Sequence, residues 1–168
     1  HVFLEAIQEL EKEYPNGLPD DLVFIMVGAI KGPYLDFLIE RREELGLGRV
    51  RIFDETKEIY DFYVLSDIFV CASFEESFPM VVLLAMAFEL KIVSTDVFGI
   101  PEIISDGQDG SLVKPGNPAA LGNAIYICLN NPELSGRMAR NAYAKVYRLF
   151  DNDKFLERHL SLTKEVSV

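Results

Sequence analysis

Apolar residues in this sequence occur in two arrangements, as short continuous runs and as positions spaced three or four apart. The runs are three to six residues long, are bounded by glycine, proline or acidic turns, and are typical of buried strands. They predict strands over residues 22–27, 50–53, 68–72, 92–95 and 111–113. The spaced positions predict helices over 1–13, 33–45, 79–88, 118–129, 132–150 and 151–168, and one more with Thr56 as N-cap and a face of Ile59, Phe62, Tyr63 and Leu65.

The alternation of strands and helices determines the predicted fold class. Short loops between alternating elements favour βαβ units, so we expect an α/β domain with an open parallel sheet of about five strands and helices on both faces. The residues expected in its core are Ile25, Phe69, Val70, Val82, Met86 and Val93. A helix at the very start needs a preceding strand for a right-handed crossover. We therefore interpret residues 1–168 as one Rossmann-like domain from a longer protein, with one strand ahead of His1.

Composition narrows the possible partners. The net charge of −11 argues against nucleic acid or an anionic membrane surface as a partner. No apolar run approaches the roughly 20 residues that span a membrane. The two cysteines, Cys71 and Cys128, fall in a predicted strand and a predicted helix and indicate buried thiols in a reducing compartment, so we expect a cytoplasmic protein. No cluster of histidine and cysteine predicts a metal site, and we expect no cofactor.

Residues 67–104 carry the candidate chemistry. They form two successive units of strand, loop and helix, and the carboxyl ends of parallel strands are where such sheets bind ligands. Pro79 fits the first turn of the first helix, which is apolar nearly all round and is expected to be buried. Its amino end, with free N–H groups and a positive dipole, would favour an anion such as a diphosphate.

The same stretch resembles a known family. The residues that match are Ser73, Glu76, Phe78, the Ala85–Ala87 run and the Gly99–Ile104 segment. Together they resemble the C-terminal donor-binding domain of family 4 (group 1) retaining glycosyltransferases, which have the GT-B fold. The resemblance extends over most of the chain and implies a nucleotide sugar as the ligand.

The resemblance implies roles for particular residues. Glu76 would accept hydrogen bonds from donor-sugar hydroxyls. It is the candidate catalytic residue, and its implied role is to bind and orient the sugar. Ser77 and Phe78 would offer backbone N–H groups, although Ser77 is equally suited to cap the helix. The second donor loop comprises Phe98, Gly99, Ile100, Pro101 and Glu102, of which Glu102 is slightly favoured as a cap.

The nucleotide side of the site matches the family less well. Gly28 and the loop of Asp54, Glu55 and Thr56 would lie near the nucleobase. Leu84 takes the position of the family's second glutamate, which holds the ribose hydroxyls, and a leucine cannot do so. The basic pair that neutralises the diphosphate would lie before His1, and Lys31 does not obviously replace it.

The resemblance implies retaining transfer of a sugar from a nucleoside diphosphate donor, without a metal, together with an N-terminal acceptor domain. The isolated chain is then expected to be inactive. One alternative is a non-catalytic GT-B-like binding or scaffold domain whose donor site has decayed at Leu84. Another is a response-regulator-like module with Asp54 as phosphoacceptor, which lacks the remaining acidic residues and lysine.

Overall fold

The computed structural model describes residues 1–77 and 79–150. The helices are α1 (Val2–Lys12), α2 (Pro33–Glu44), α3 (Ile59–Leu65), α4 (Met80–Ala87), α5 (Ile100–Ile103), α6 (Pro118–Asn130) and α7 (Pro132–Phe150). The strands are β1 (Phe24–Ala29), β2 (Val50–Asp54), β3 (Ile68–Cys71), β4 (Lys91–Thr95) and β5 (Ser111–Val113). The predicted α/β fold class is confirmed, and the helix predicted over 151–168 lies outside the described residues.

The five strands form two parallel sheets rather than one continuous sheet. One sheet pairs β1 with β2, and the other has the order β3-β4-β5. Within residues 1–77 and 79–150, no hydrogen-bonded ladder joins β1 to β3. The sequence pattern predicts which segments are strands, but it does not determine which edges pair.

The first of two hydrophobic cores joins the sheets. Apolar side chains of α1 and α6 pack there against Phe24 and Val50 from the first sheet and Val93 from the second. Because side chains alternate along a strand, Ile92 lies instead in the second core, with α4, α5 and α7. The three-stranded sheet is therefore covered on both faces.

Three of the six residues predicted to lie in the core are buried, and three are partly exposed. Val82, Met86 and Val93 are fully buried, as expected. Ile25 is 37% exposed, because it points away from the first core on a sheet with little cover on its other face. Phe69 and Val70 are half-buried, since β3 is an edge strand.

Helices α3 and α4 also differ from the prediction. Glu58, not Thr56, is the N-cap of α3. Of the predicted face of this helix, Tyr63 is buried, whereas Leu65 is exposed. Pro79 is the N-cap of α4 and not part of its first turn. Only one side of α4 is buried, because Met80 and Val81 face outward.

A buried phenol links these two helices. The hydroxyl of Tyr63 on α3 donates a hydrogen bond to the backbone carbonyl of Val81, 3.2 Å away. Burial raises the pKa of Tyr63 to about 12, because the phenolate would lose its hydration. The neutral donor therefore persists at physiological pH and helps to fix the start of α4.

Candidate functional site

The loops that follow β3 and β4 are hydrogen-bonded to each other at the carboxyl edge of the sheet. The hydroxyl of Thr95 donates to the carbonyl of Ser73 over 2.7 Å. The amide of Gly99 donates to the carbonyl of Glu76 over 3.2 Å. These contacts bring together the two loops in which the sequence places the sugar-binding residues.

The Glu76 side chain is held in place by its own loop. Ser73 Oγ donates to Glu76 Oε1 over 3.1 Å, and Glu76 is half-buried. No side chain caps α4, so neither Glu76 nor Ser77 is a capping residue, and Ser77 is exposed. Phe78 lies outside the described residues. One oxygen of Glu76 is thus oriented by a hydroxyl, while the carboxylate keeps further capacity to accept hydrogen bonds.

The loop after β4 contains a tight turn from Val97 to Ile100. The Ile100 amide donates to the Val97 carbonyl over 3.0 Å, and Phe98 has a φ of +41°. Gly99 and Ile100 are buried, whereas Phe98 is 72% exposed. A short helix, α5, begins directly after Gly99 and has Pro101 in its first turn.

Glu102 does not have its favoured role. The N-cap of α5 is Gly99, and no side chain bonds to the free amides of that helix. Both Pro101 and Glu102 are exposed. Glu102 is therefore a solvent-facing carboxylate in the first turn of α5.

The predicted nucleotide-side residues follow the strands of the other sheet. Gly28 does not end its strand but sits in β1 at an irregularity of the register, with a φ of +91°. Asp54 ends β2 and forms an exposed ion pair with Lys31, at 3.7 Å. Glu55 is exposed. Among the described residues, no hydrogen bond or ion pair joins this group to the Glu76 loop.

Thr56 shapes the turn before α3 instead of capping the helix. Its hydroxyl donates to Glu58 Oε2 over 2.6 Å and accepts from the Glu58 amide over 3.1 Å. The bond from Thr56 lowers the pKa of Glu58 by favouring its ionised form. The Thr56 hydroxyl is thus used within its own turn, next to Asp54 and Glu55 in the predicted nucleotide-side loop.

Leu84 lies half-buried on α4 and packs against the second core. It offers no polar atom to a ribose. The position expected to hold a carboxylate is therefore apolar and contributes to packing.

The structure adds residues to this edge that the sequence interpretation overlooked. Lys114 follows β5 and lies 3.7 Å from Asp96, which follows β4. The ring of Phe74 stacks on the His1 imidazole with centroids 5.9 Å apart. Thr95 is the last residue of an apolar strand and Asp96 follows it directly, and this position is the signal that identifies both residues. The Phe74 stack has no local signal, because its partner is distant in the sequence.

Comparison with known sequences identifies the family of this chain. The profile described as "Glycosyl transferases group 1" matches residues 1–145. The chain belongs to the group 1 glycosyl transferases. This group 1 domain is 27% identical over 147 residues to N-acetyl-alpha-D-glucosaminyl L-malate synthase of Bacillus anthracis. The aligned region covers 87% of this chain and 38% of that enzyme.

Solved structures agree with the assignment. A glycosyltransferase of Rickettsia africae superposes with a TM-score of 0.85 and 26% identity, over 98% of this domain and 43% of that chain. Anabaena HepE, solved in complex with UDP-glucose, superposes with a TM-score of 0.82 and 26% identity, over 96% and 44%. These neighbours are GT-B glycosyltransferases. The group 1 domain thus spans less than half the length of each of these three relatives.

Two kinds of feature are absent from the described residues. In the described part of the chain, no helix is long and apolar enough to cross a membrane. The same residues contain no group of three or more histidine, cysteine, aspartate or glutamate side chains placed to hold a metal ion.

Proposed function

We propose that this domain binds the nucleotide-sugar donor of a retaining glycosyltransferase, which moves a sugar from a nucleoside diphosphate to an acceptor. Anabaena HepE, with a similar fold, binds UDP-glucose, which supports this proposal. The acceptor would be held by a second, N-terminal domain. The active site would then lie between two domains, so we expect no transfer by this domain alone.

The observation that carries the proposal is the pairing of Glu76 with the Gly99 turn. The Ser73 hydroxyl orients the Glu76 carboxylate. The Gly99 amide donates a 3.2 Å hydrogen bond to the Glu76 backbone carbonyl and so connects the two loops. A fixed carboxylate at the carboxyl edge of a parallel sheet suits a polyol, because it accepts charge-assisted hydrogen bonds from two hydroxyls. Glu76 would then bind and orient the sugar.

The amino end of α4 supports the same orientation. Met80 and Val81 begin the helix, and their amides have no acceptor within it. Such amides and the helix dipole stabilise phosphate oxygens, so departure of the diphosphate would not require a metal ion. Lys31 and Lys114 are exposed cations, and each lies just after the carboxyl end of a strand, β1 and β5 respectively.

One observation favours the alternative of a non-catalytic scaffold domain. Leu84 contributes to core packing at the position where the family resemblance implies a carboxylate for the ribose. A site without that hydrogen bond is expected to bind nucleotide about ten- to a hundredfold more weakly.

Two substitutions separate these functions. Glu76→Gln should weaken UDP-glucose binding about tenfold, because a neutral amide replaces a charged acceptor. The adjacent exposed Glu75→Gln serves as the matched control and should leave binding unchanged. Leu84→Glu should tighten UDP binding about tenfold if the α4 face borders a ribose. Calorimetric titration with UDP, ADP and their glucose conjugates measures all three variants.

The scaffold alternative makes the opposite prediction. There, Leu84→Glu would only place a charge against the second core, lowering the free energy of unfolding with no gain in affinity. Failure of the unmodified domain to bind any of the four nucleotides, with equal behaviour of the Glu75 and Glu76 variants, would overturn the donor-site proposal.

A further inference from the structure

Phe98 combines two properties that seldom occur together. It is a large apolar side chain that is 72% exposed, and its backbone has a φ of +41°. Positive φ is a genuine outlier for a bulky residue. Neither property is explained by packing, because the ring contributes little to either core.

Phe98 occupies a position in its β-turn that glycine usually fills. The hydrogen bond from Ile100 to Val97 closes a β-turn in which Phe98 and Gly99 are the central residues. Gly99 has a φ of −75° and a ψ of −9°, so only the first central residue has positive φ. Turns of this kind favour glycine at the first position. Here the phenylalanine occupies that position and the glycine follows it.

The strained turn is also rigidly anchored. Gly99 is bonded to the Glu76 carbonyl, and Thr95, at the end of the preceding strand, is bonded to the Ser73 carbonyl. The Phe98 ring therefore projects from a fixed support beside the loop that holds the Glu76 carboxylate. Strained residues of this kind cluster at active sites and ligand clamps, where the surrounding structure holds them in place.

We propose that Phe98 is the aromatic platform on which the transferred sugar stacks. The inference rests on the proposed function and deepens it, because it assigns a donor-positioning role to a residue with no polar group. A hexose has polar edges and an apolar face of C–H groups. Glu76 accepts hydrogen bonds from the hydroxyls at the edge, and the Phe98 ring covers the apolar face. The class of ligand favoured is a nucleoside diphosphate hexose over the free nucleotide.

The test compares variants of Phe98 in thermal unfolding and in titration with UDP, ADP and their glucose conjugates. Phe98→Gly should raise the melting temperature by about 2–4 °C, since it relieves the positive φ. It should also weaken binding of the nucleotide sugar about three- to tenfold, with no change for the free nucleotide. Phe98→Leu should show the same loss of affinity without the gain in stability, and Phe98→Trp should retain affinity.

A matched control lies at the opposite edge of the sheet. Tyr143 on α7 is a partly exposed aromatic residue that packs on Tyr147 and lies near Glu89, in the turn between α4 and the start of β4. Tyr143→Leu should leave all four affinities unchanged.

Three results would count against the inference, and they are distinguishable. If the Phe98→Gly and Phe98→Leu variants discriminate nucleotide sugar from free nucleotide as well as the unmodified domain does, Phe98 is not the platform. The proposed donor site then stands. If the unmodified domain binds none of the four ligands, the proposed function falls and the inference falls with it. A fall in melting temperature for Phe98→Gly would show that the ring stabilises the fold instead.

Discussion

Lys145 and Asp109 form a well-buried ion pair that fixes α7 to the turn before β5. The lysine nitrogen lies 2.9 Å from the carboxylate, and the two side chains are only 14% and 8% exposed. The Asp109 carboxylate also accepts from the Ser105 amide over 2.6 Å, and Lys145 donates to the Ser105 hydroxyl. Both charges are thus paired and hydrogen-bonded, which is the condition under which burial of a charge is tolerated.

Removal of one charge should therefore be costly. Lys145→Met keeps the aliphatic length but leaves Asp109 buried without its cation, and we expect a loss of about 3 kcal/mol in the free energy of unfolding. Lys12→Met, in the exposed pair with Glu9, should cost less than about 1 kcal/mol. Urea unfolding of both variants makes the comparison. Equal effects would contradict the prediction, and Asp109→Asn added to Lys145→Met should recover part of the loss.

At the scale of elements, α2 and α4 end in the same hydrogen-bond motif with different residues. Gly46 and Leu47 donate to the last turn of α2, and Glu89 and Leu90 donate in the same pattern to α4. The motif requires a left-handed residue, and the φ angles are +70° for Gly46 and +57° for Glu89. Glycine adopts this conformation without cost, whereas a residue with a Cβ atom does not.

This pair yields a reciprocal prediction. Glu89→Gly should stabilise the domain by about 0.5–1 kcal/mol, because α4 then ends as α2 does. Gly46→Glu should destabilise it by a similar amount. Chemical denaturation of both variants provides the measurement. If Glu89→Gly is neutral or destabilising, the exposed glutamate makes a compensating contact in solution.

The elements also show what local sequence determines. Each apolar run predicted as a strand is a strand, because a buried parallel strand needs little more than four or five apolar residues between turns. Ile25 was expected to be buried and is 37% exposed, and Leu65 on the predicted face of α3 is also exposed, because burial depends on which other element covers a face. The left-handed glutamate at the end of α4 also has no signal in its own residue type.

The candidate site follows the same division. The contact between the Glu76 and Gly99 loops was predictable, since both follow neighbouring parallel strands. The exposed strain at Phe98, the stack of Phe74 on His1 and the bond from Thr95 to Ser73 were not predictable. They depend on dihedral angles and on distances between segments, which residue spacing does not specify.

At the scale of the whole molecule, the division of the strands determines how the protein can open. Among residues 1–77 and 79–150, β1 pairs only with β2, so there the first sheet is joined to the second through side-chain packing and not through a shared ladder of backbone hydrogen bonds. Segments linked in this way often open as separate cooperative units. Amide hydrogen exchange should therefore be faster in β1 and β2 than in β4, which is paired on both edges and covered on both faces. Uniform exchange across the five strands would mean that side-chain packing alone makes the two sheets one cooperative unit.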